Sequence, residues 1–387
     1  MFEYFPGNYV WNLAVIGALN SGALIDEVDR ACRPLRDTAA LGADVGTEEF
    51  FASWTAVADR LEELAAADEA RGWWRSAGQK LHRAALYVQV AERLQSRHWE
   101  PRQRAYERAL DLFARATAVG RDNCIRVEIP YGDGSLPAYY MKAEAVDGPA
   151  PCIVLWNGLD STKEMMSQSG FGHELAARGI STLMVDGPGT GETLRLRGVT
   201  AVADTERPAG ACVDWLLATG EVDPGRIGIA GWSLGGYYAP RAAAFEPRFS
   251  LCVAWGANHN WGQMQKRRLQ REGEHPVPHY WDHVMWVWGK DTIDEFIAAA
   301  EQVTLEGILD RITVPFLVVH GENDRQIPLE YAQLSYDQAV NSPLRELTVF
   351  TARDGGNEHI GLDNLPLVST YVADWISDRF TAAKAHT

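Results

Sequence analysis

The chain has 387 residues, more than one α/β domain needs, so a catalytic domain with an added domain or cap is expected. With 46% apolar residues there is material for a large core, which excludes a disordered chain. The formal net charge of −16 disfavours nucleic acid and anionic membrane as partners, because both repel an acidic surface.

The opening residues Met1-Phe2-Glu3-Tyr4 carry no basic region of the kind that begins a signal peptide. The apolar stretch from Tyr9 to Leu19 is too short to span a bilayer and contains Asn12, so no membrane segment is expected and the cytoplasm is the simplest location. Residues 1–121 read as helical. Thr47 is placed to cap a helix whose apolar positions Phe50, Trp54, Val57, Leu61 and Leu64 recur at helical spacing. Further helical patterns cover roughly 72–95 and 100–118. We read this segment as a helical N-terminal domain or cap.

The pattern changes at Cys124. Residues 124–129 alternate with period two, a turn follows at Gly132-Asp133-Gly134, and a second strand-like run covers 138–143, which together predict a hairpin. Strands are expected at 152–156, 180–185, 226–230, 249–255, 315–320 and 345–350. Helices are expected near 168–178, 200–218, 234–245, 330–340 and 363–380. This alternation predicts an α/β fold for residues 122–387: a mostly parallel sheet with helices on both faces. A Trp-rich insertion at about 256–300 interrupts it. The cysteines Cys32, Cys124, Cys152, Cys212 and Cys252 are scattered and form no C-x-x-C, so they read as buried thiols.

The strongest signal is Ile227-Gly-Ile-Ala-Gly231-Trp232-Ser233-Leu234-Gly235-Gly236. An apolar strand runs into G-x-S-x-G and a helical pattern follows, which is the context of a nucleophile elbow. Glycines at 231 and 235 allow a turn that bulkier residues would block. The serine then lies at a helix N-terminus, whose partial positive charge favours a developing oxyanion. A serine hydroxyl needs a base, and in this fold the order is serine, acid, histidine. Asp324 follows strand 315–320 within His320-Gly-Glu-Asn-Asp324, and His359 lies in the loop after strand 345–350. We therefore assign Ser233 as nucleophile, His359 as base and Asp324 as the acid that orients it. Glu322 is the alternative acid. His320 reads as structural, and Asp354 and Glu358 as solvated loop charges.

Acyl transfer needs two donors for the oxyanion. One is the backbone N–H of Leu234. The other is expected from the loop Trp156-Asn157-Gly158-Leu159-Asp160, at Leu159 or, failing that, Asp160. Candidate pocket residues are Asp160, Trp232, His259, Trp261 and Trp286. The aromatic region 261–288 either walls a pocket for a large apolar or aromatic carbonyl substrate or packs as a lid. The segment Asp186-Gly-Pro-Gly-Thr-Gly-Glu192 lacks the lysine and spacing of a phosphate loop and reads as a tight turn. His275, His279 and His283 are spaced by four, but Pro276 and Pro278 break that helix, so no metal site is expected. Triad chemistry needs no cofactor.

The stretches Gly158-Leu-Asp-Ser-Thr-Lys-Glu164, Asp186-Gly-Pro-Gly-Thr-Gly-Glu192, Gly231-Trp-Ser-Leu-Gly-Gly236 and Phe245-Glu-Pro-Arg248 resemble the α/β-hydrolase family that includes 2,6-dihydropseudooxynicotine hydrolase and the fungal polyketide-shortening hydrolases of the yellowish-green type. The resemblance implies the α/β-hydrolase fold, the same three catalytic residues, a cap built partly from the N-terminal helices, and homodimers. It also implies cleavage of a carbon–carbon bond beside a ketone, in a 1,3-dicarbonyl or acyl-aromatic substrate. The segment Trp255-Gly-Ala-Asn-His-Asn260 has no match for the acidic pocket residue associated with this region of the family. The triad by itself is equally suited to an ester, thioester or lactone, or to acyl transfer. A non-catalytic role in binding a ligand or protein is the third reading.

Overall fold

The computed structural model describes residues 1–270 and 275–384. They divide into two compact units, Met1–Cys124 with Glu274–His283, and Ile125–Gly273 with Val284–Thr387.

The first unit is helical. Its long helices are Thr47–Ala70, Trp74–Arg93 and Arg102–Gly120, preceded by Tyr9–Asn20 and Ile25–Cys32. In Thr47–Ala70 the buried positions Phe50, Trp54, Ala58, Leu61 and Ala65 recur every three or four residues and form one apolar face. Thr47 does not cap this helix. The cap is Gly46 at φ 76°, a left-handed angle that glycine tolerates, and Thr47 is the first helical residue. Trp11, Phe50, Trp54 and Tyr87 pack ring against ring with centroids 5.0, 5.3 and 5.6 Å apart. Gly78 lets its helix approach Gly120 closely, since a Cβ there would stand 2.8 Å from the Gly120 Cα. The returning segment is tied to this unit by Arg97–Asp282 at 2.8 Å and by the His279 N–H, which donates to Asp44 at 2.9 Å. Part of the insertion expected at 256–300 therefore clusters with the N-terminal helices.

The second unit carries an eight-stranded sheet in the order β1-β2-β4-β3-β5-β6-β7-β8. The strands are β1 (Ile125–Tyr131), β2 (Gly134–Met141), β3 (Ala150–Trp156), β4 (Ser181–Val185), β5 (Val222–Trp232), β6 (Cys252–Trp255), β7 (Phe316–Gly321) and β8 (Arg345–Phe350). β1 and β2 form the antiparallel hairpin and β2 pairs antiparallel with β4. The pairings from β4 through β3, β5, β6 and β7 to β8 are parallel. Every residue of β3, β4, β6 and β7 is buried, as strands covered on both faces must be. β5 is longer than the sequence pattern suggested. The helix expected at 168–178 is two, Lys163–Gln168 and Phe171–Ala177, divided by Gly170 at φ 84°. The helix expected from 200 begins at Glu206.

Parallel strands send their carboxyl ends to one edge. Trp156 at the end of β3 pairs with Gly231 near the end of β5, and Trp232 pairs with Trp255 at the end of β6. The loops after β3, β5, β7 and β8 all leave from this edge, where ligands gather in open α/β sheets. All five cysteines are buried, and none is in a disulfide. Burial pushes the thiols of Cys152, Cys212 and Cys252 up, which keeps them unreactive. Among the described residues no helix is long and apolar enough to cross a membrane.

Candidate active site

The turn between β5 and the helix Gly235–Phe245 holds Ser233 at φ 57°, a left-handed angle that a residue with a Cβ adopts only under constraint. The constraint is packing. A Cβ on Gly231 would stand 2.2 Å from the Gly235 carbonyl oxygen, and one on Gly236 would stand 2.2 Å from that of Gly256. A Cβ on Gly235 would come within 2.9 Å of the Trp156 and Asn157 carbonyl oxygens. The Ser233 N–H donates to the Trp255 carbonyl at 2.8 Å, which ties the elbow to β6.

His359 arrives from the loop after β8. Its Nε2 lies 2.9 Å from Ser233 Oγ, and its Nδ1 lies 2.8 and 3.0 Å from the two oxygens of Asp324. The Asp324 side chain is 1% exposed, and its Oδ1 also accepts the N–H groups of Gln326 and Ile327 at 2.8 and 3.0 Å. Burial works to raise the Asp324 carboxyl, but the interaction with His359 and these hydrogen bonds outweigh burial, so its pKa is lowered. The carboxylate therefore stays ionised and can hold the imidazole in one orientation.

Two features keep the base in place. The Asp363 carboxylate accepts the N–H groups of Gly356, Asn357 and Glu358 at 2.8, 3.2 and 2.9 Å, gripping the loop just ahead of His359. The indole N–H of Trp255 donates to the Ile360 carbonyl at 2.9 Å, just beyond it. Glu358 is not a solvated loop charge. It is buried, and its Oε1 accepts the Asn323 amide at 2.7 Å. Asp354 stays exposed and accepts the Thr351 hydroxyl. His320 is fully buried against Asp324, and its Nε2 donates to the Ile327 carbonyl at 2.9 Å. Burial pushes its pKa down, so the ring is neutral.

The loop after β3 lies against the nucleophile. A Cβ on Gly158 would stand 2.9 Å from Ser233 Cβ, so only glycine fits. Among the described residues, no protein oxygen accepts the N–H of Leu159 or of Leu234. Both donors are free for an outside acceptor, and both residues are buried.

The remaining candidate residues are dispersed. Trp232 packs edge-on against Trp255 at 5.6 Å, and Asp160 is half-buried in the β3 loop. His259 is fully buried, with Nδ1 3.1 Å from the Ser335 hydroxyl, and burial pushes its pKa down to about 4. Trp261 is buried between Trp288 at 5.4 Å and Phe296 at 5.5 Å. Both rings are buried. Trp286 is half-buried under the Arg195 guanidinium at 5.8 Å. His275, His279 and His283 share no helix, because the helix begins at Tyr280.

The segment Asp186–Glu192 is more than a turn. Asp186 is fully buried and accepts the Lys163 and Glu192 backbone N–H groups at 2.8 and 2.9 Å. The buried Lys163 ammonium lies 3.1 Å from Asp186, 2.9 Å from Glu192 and 2.8 Å from Glu164. Sequence reasoning missed this cluster. Its one signal is Gly191, where a Cβ would stand 2.1 Å from the Asp186 carboxyl carbon.

This sheet order, with a strained serine between strand and helix at its carboxyl edge, defines the α/β-hydrolase fold, and the chain is a hydrolase of that fold. Residues 173–342 match the model of the prolyl oligopeptidase family. The 2,6-dihydropseudooxynicotine hydrolase of Paenarthrobacter nicotinovorans is 29% identical over 339 residues, spanning 87% of this chain and 86% of that protein. The α/β hydrolase xenA of Xenoacremonium sinensis is 31% identical over 219 residues, 54% of this chain and 51% of xenA. Among solved structures, the 2,6-dihydroxy-pseudo-oxynicotine hydrolase superposes with a TM-score of 0.76 at 26% identity, covering 95% of this chain and 96% of the other.

Proposed function

We propose that the chain is a serine hydrolase that cleaves a carbon–carbon bond beside a ketone, in a 1,3-dicarbonyl, acyl-aromatic or polyketide-like substrate. The observation that carries the serine mechanism is the 2.9 Å contact between His359 Nε2 and Ser233 Oγ, in line with the Asp324 contact on the far side of the ring. The carbon–carbon preference rests on the likeness, over nearly the whole chain, to the hydrolase named for 2,6-dihydropseudooxynicotine.

In this reading His359 removes the Ser233 proton as Oγ bonds to the substrate carbonyl carbon. The oxygen of the tetrahedral intermediate is held by the N–H groups of Leu159 and Leu234. The carbonyl re-forms, the bond to the neighbouring carbon breaks, and its electron pair leaves on a carbanion stabilised as an enolate by the second ketone. Imidazolium His359 gives that carbon its proton. A water, deprotonated by His359, then releases the acyl group from Ser233. Trp232 and Asp160, flanking the serine and the oxyanion loop, are the pocket residues closest to this chemistry in the chain. The same reading takes the enzyme as a cytoplasmic homodimer acting on a small apolar or aromatic carbonyl compound.

The test is product mass from matched 1,3-diketone and ester substrates, beside labelling of Ser233 by a fluorophosphonate. Cleavage of the diketone into an acid and a ketone is the expected result. Turnover of esters alone would overturn the carbon–carbon preference and leave an esterase. Native protein that neither labels nor turns over either substrate would overturn the serine mechanism.

A further inference from the structure

We infer that Asn157 is a positioning residue for the oxyanion loop, held in register by the buried cluster of Asp186 and Lys163. The inference rests on the serine mechanism proposed above. Asn157 is the first residue after β3 and is 1% exposed. Its Nδ2 donates to the Ser161 carbonyl at 3.0 Å and to Asp186 Oδ1 at 3.1 Å. The first bond closes the loop around Leu159. The second fastens the loop to the end of the neighbouring strand β4. The Gly158 N–H donates to the Ser161 hydroxyl at 3.3 Å, so the donor at Leu159 sits inside a turn closed by two side chains.

Asp186 is held on all sides. Its Oδ1 accepts Asn157 and the Lys163 N–H, and its Oδ2 accepts the Glu192 N–H and lies against the Lys163 ammonium. Glu192 is clasped in turn by Arg126 at 2.7 and 2.9 Å and by Arg197 at 2.8 Å. Arg197 reaches Glu128 at 2.9 Å. Burial pushes the Glu164 carboxyl up, and the Asp186 charge adds to this against the opposing pull of Lys163. Lys163, Arg126 and Arg197 thus alternate with the carboxylates of Asp186, Glu192 and Glu128.

The buried ion pairs at the centre of this cluster, Lys163 with Asp186 and Glu192, add little stability over apolar residues of the same volume, because desolvation offsets the attraction. What it supplies here is fixed geometry. The Leu159 N–H must meet an oxygen that exists only after Ser233 has attacked, and a shift of about 1 Å at such a site costs on the order of 100-fold in rate. Gly158, pressed against Ser233, leaves the loop no other seat.

The experiment uses the full chain, a substrate turned over by the wild type, and a trifluoromethyl ketone whose adduct with Ser233 carries an oxyanion. Asn157→Ala is expected to lower kcat roughly 10- to 100-fold with KM within about threefold, and to weaken the trifluoromethyl ketone by a similar factor. Asn157→Ser, which keeps a donor, is expected to recover part of the loss. Asn157→Leu, close in size and without a donor, serves should the alanine variant unfold. A folded variant with kcat within twofold of wild type, a loss confined to KM, or unchanged affinity for the trifluoromethyl ketone would overturn the assignment. Failure of the wild type itself to react with the trifluoromethyl ketone would instead remove the serine mechanism beneath it.

Discussion

His359 Nε2 stands 2.9 Å from Ser233 Oγ although 126 positions separate the two residues in the chain. Neither is aimed by its own strand. Ser233 is aimed by the glycines around it, and His359 by the Asp363 and Trp255 contacts on either side. A pair set by so many independent constraints should act as a unit. Ser233→Ala is expected to lower kcat by about 10⁴-fold or more, with unfolding by urea unchanged within about 1 kcal/mol. Asp324→Asn should approach the same loss, because an amide cannot hold the required tautomer. Steady-state kinetics beside denaturation curves checks both, and full activity in Ser233→Ala would remove the nucleophile assignment.

Gly158→Ala separates activity from stability at the loop. The added Cβ would stand 2.9 Å from Ser233 Cβ and 3.1 Å from the Trp232 carbonyl oxygen, so the loop has to move away from the nucleophile. The expected result is a fall in kcat of roughly 100-fold with a thermal midpoint lowered by only a few degrees. A midpoint collapse without a change in kcat per folded molecule would show that the contact serves packing alone.

The fold was legible because its signals are local. Gly231 and Gly235 bracket a serine between an apolar run and a helical pattern, and no other arrangement of those residues is as economical in steric terms. The strands of the parallel sheet announce themselves as short apolar runs because both their faces are buried. The Lys163 cluster was not legible, since its members come from β1 and from the segments that follow β3 and β4, and charges on separate segments carry no periodicity. Glu358 failed for a related reason. A glutamate in a polar loop is usually solvated, and it is Asn323, arriving from the β7 loop, that supplies a donor to the buried carboxylate. For Trp261 and His259 the sequence predicts burial, but apolar and aromatic content carries no information on whether a ring faces a cavity or the core.

His259 makes stability depend on pH. Its ring is fully buried, and burial lowers its pKa to about 4, with Glu306 pulling weakly the other way. In the unfolded chain a histidine titrates near about 6.5. Above that value both states are neutral and the group adds no pH dependence. As pH falls from about 6.5 to about 4, the unfolded state takes up a proton that the folded state does not, and stability drops by on the order of 3 kcal/mol in all. Below that window the loss is complete. Urea unfolding at pH 7 and at pH 5 should show a smaller difference in His259→Asn, which keeps a partner for the Ser335 hydroxyl but has no proton to take up. Equal pH dependence in the two proteins would mean that His259 is already solvated in the fold.

Asp363 offers the sharpest test of how the base is aimed. One carboxylate satisfies three consecutive N–H groups, at Gly356, Asn357 and Glu358, and each such bond to a charged acceptor is worth about 1.5–3 kcal/mol. Asp363→Ala leaves all three donors without that acceptor and frees the loop one residue before His359. The expected outcome is a fall in kcat of at least roughly 10-fold, with slower fluorophosphonate labelling of Ser233 in proportion, because both reactions need the imidazole within reach of the hydroxyl. Asp363→Asn keeps one acceptor oxygen and should fall between alanine and wild type. Since Asp363 touches neither Ser233 nor the oxyanion loop, a loss of labelling in step with kcat would trace to the placement of His359, whereas a loss of stability with undiminished labelling per folded molecule would show that the loop holds its shape without this residue.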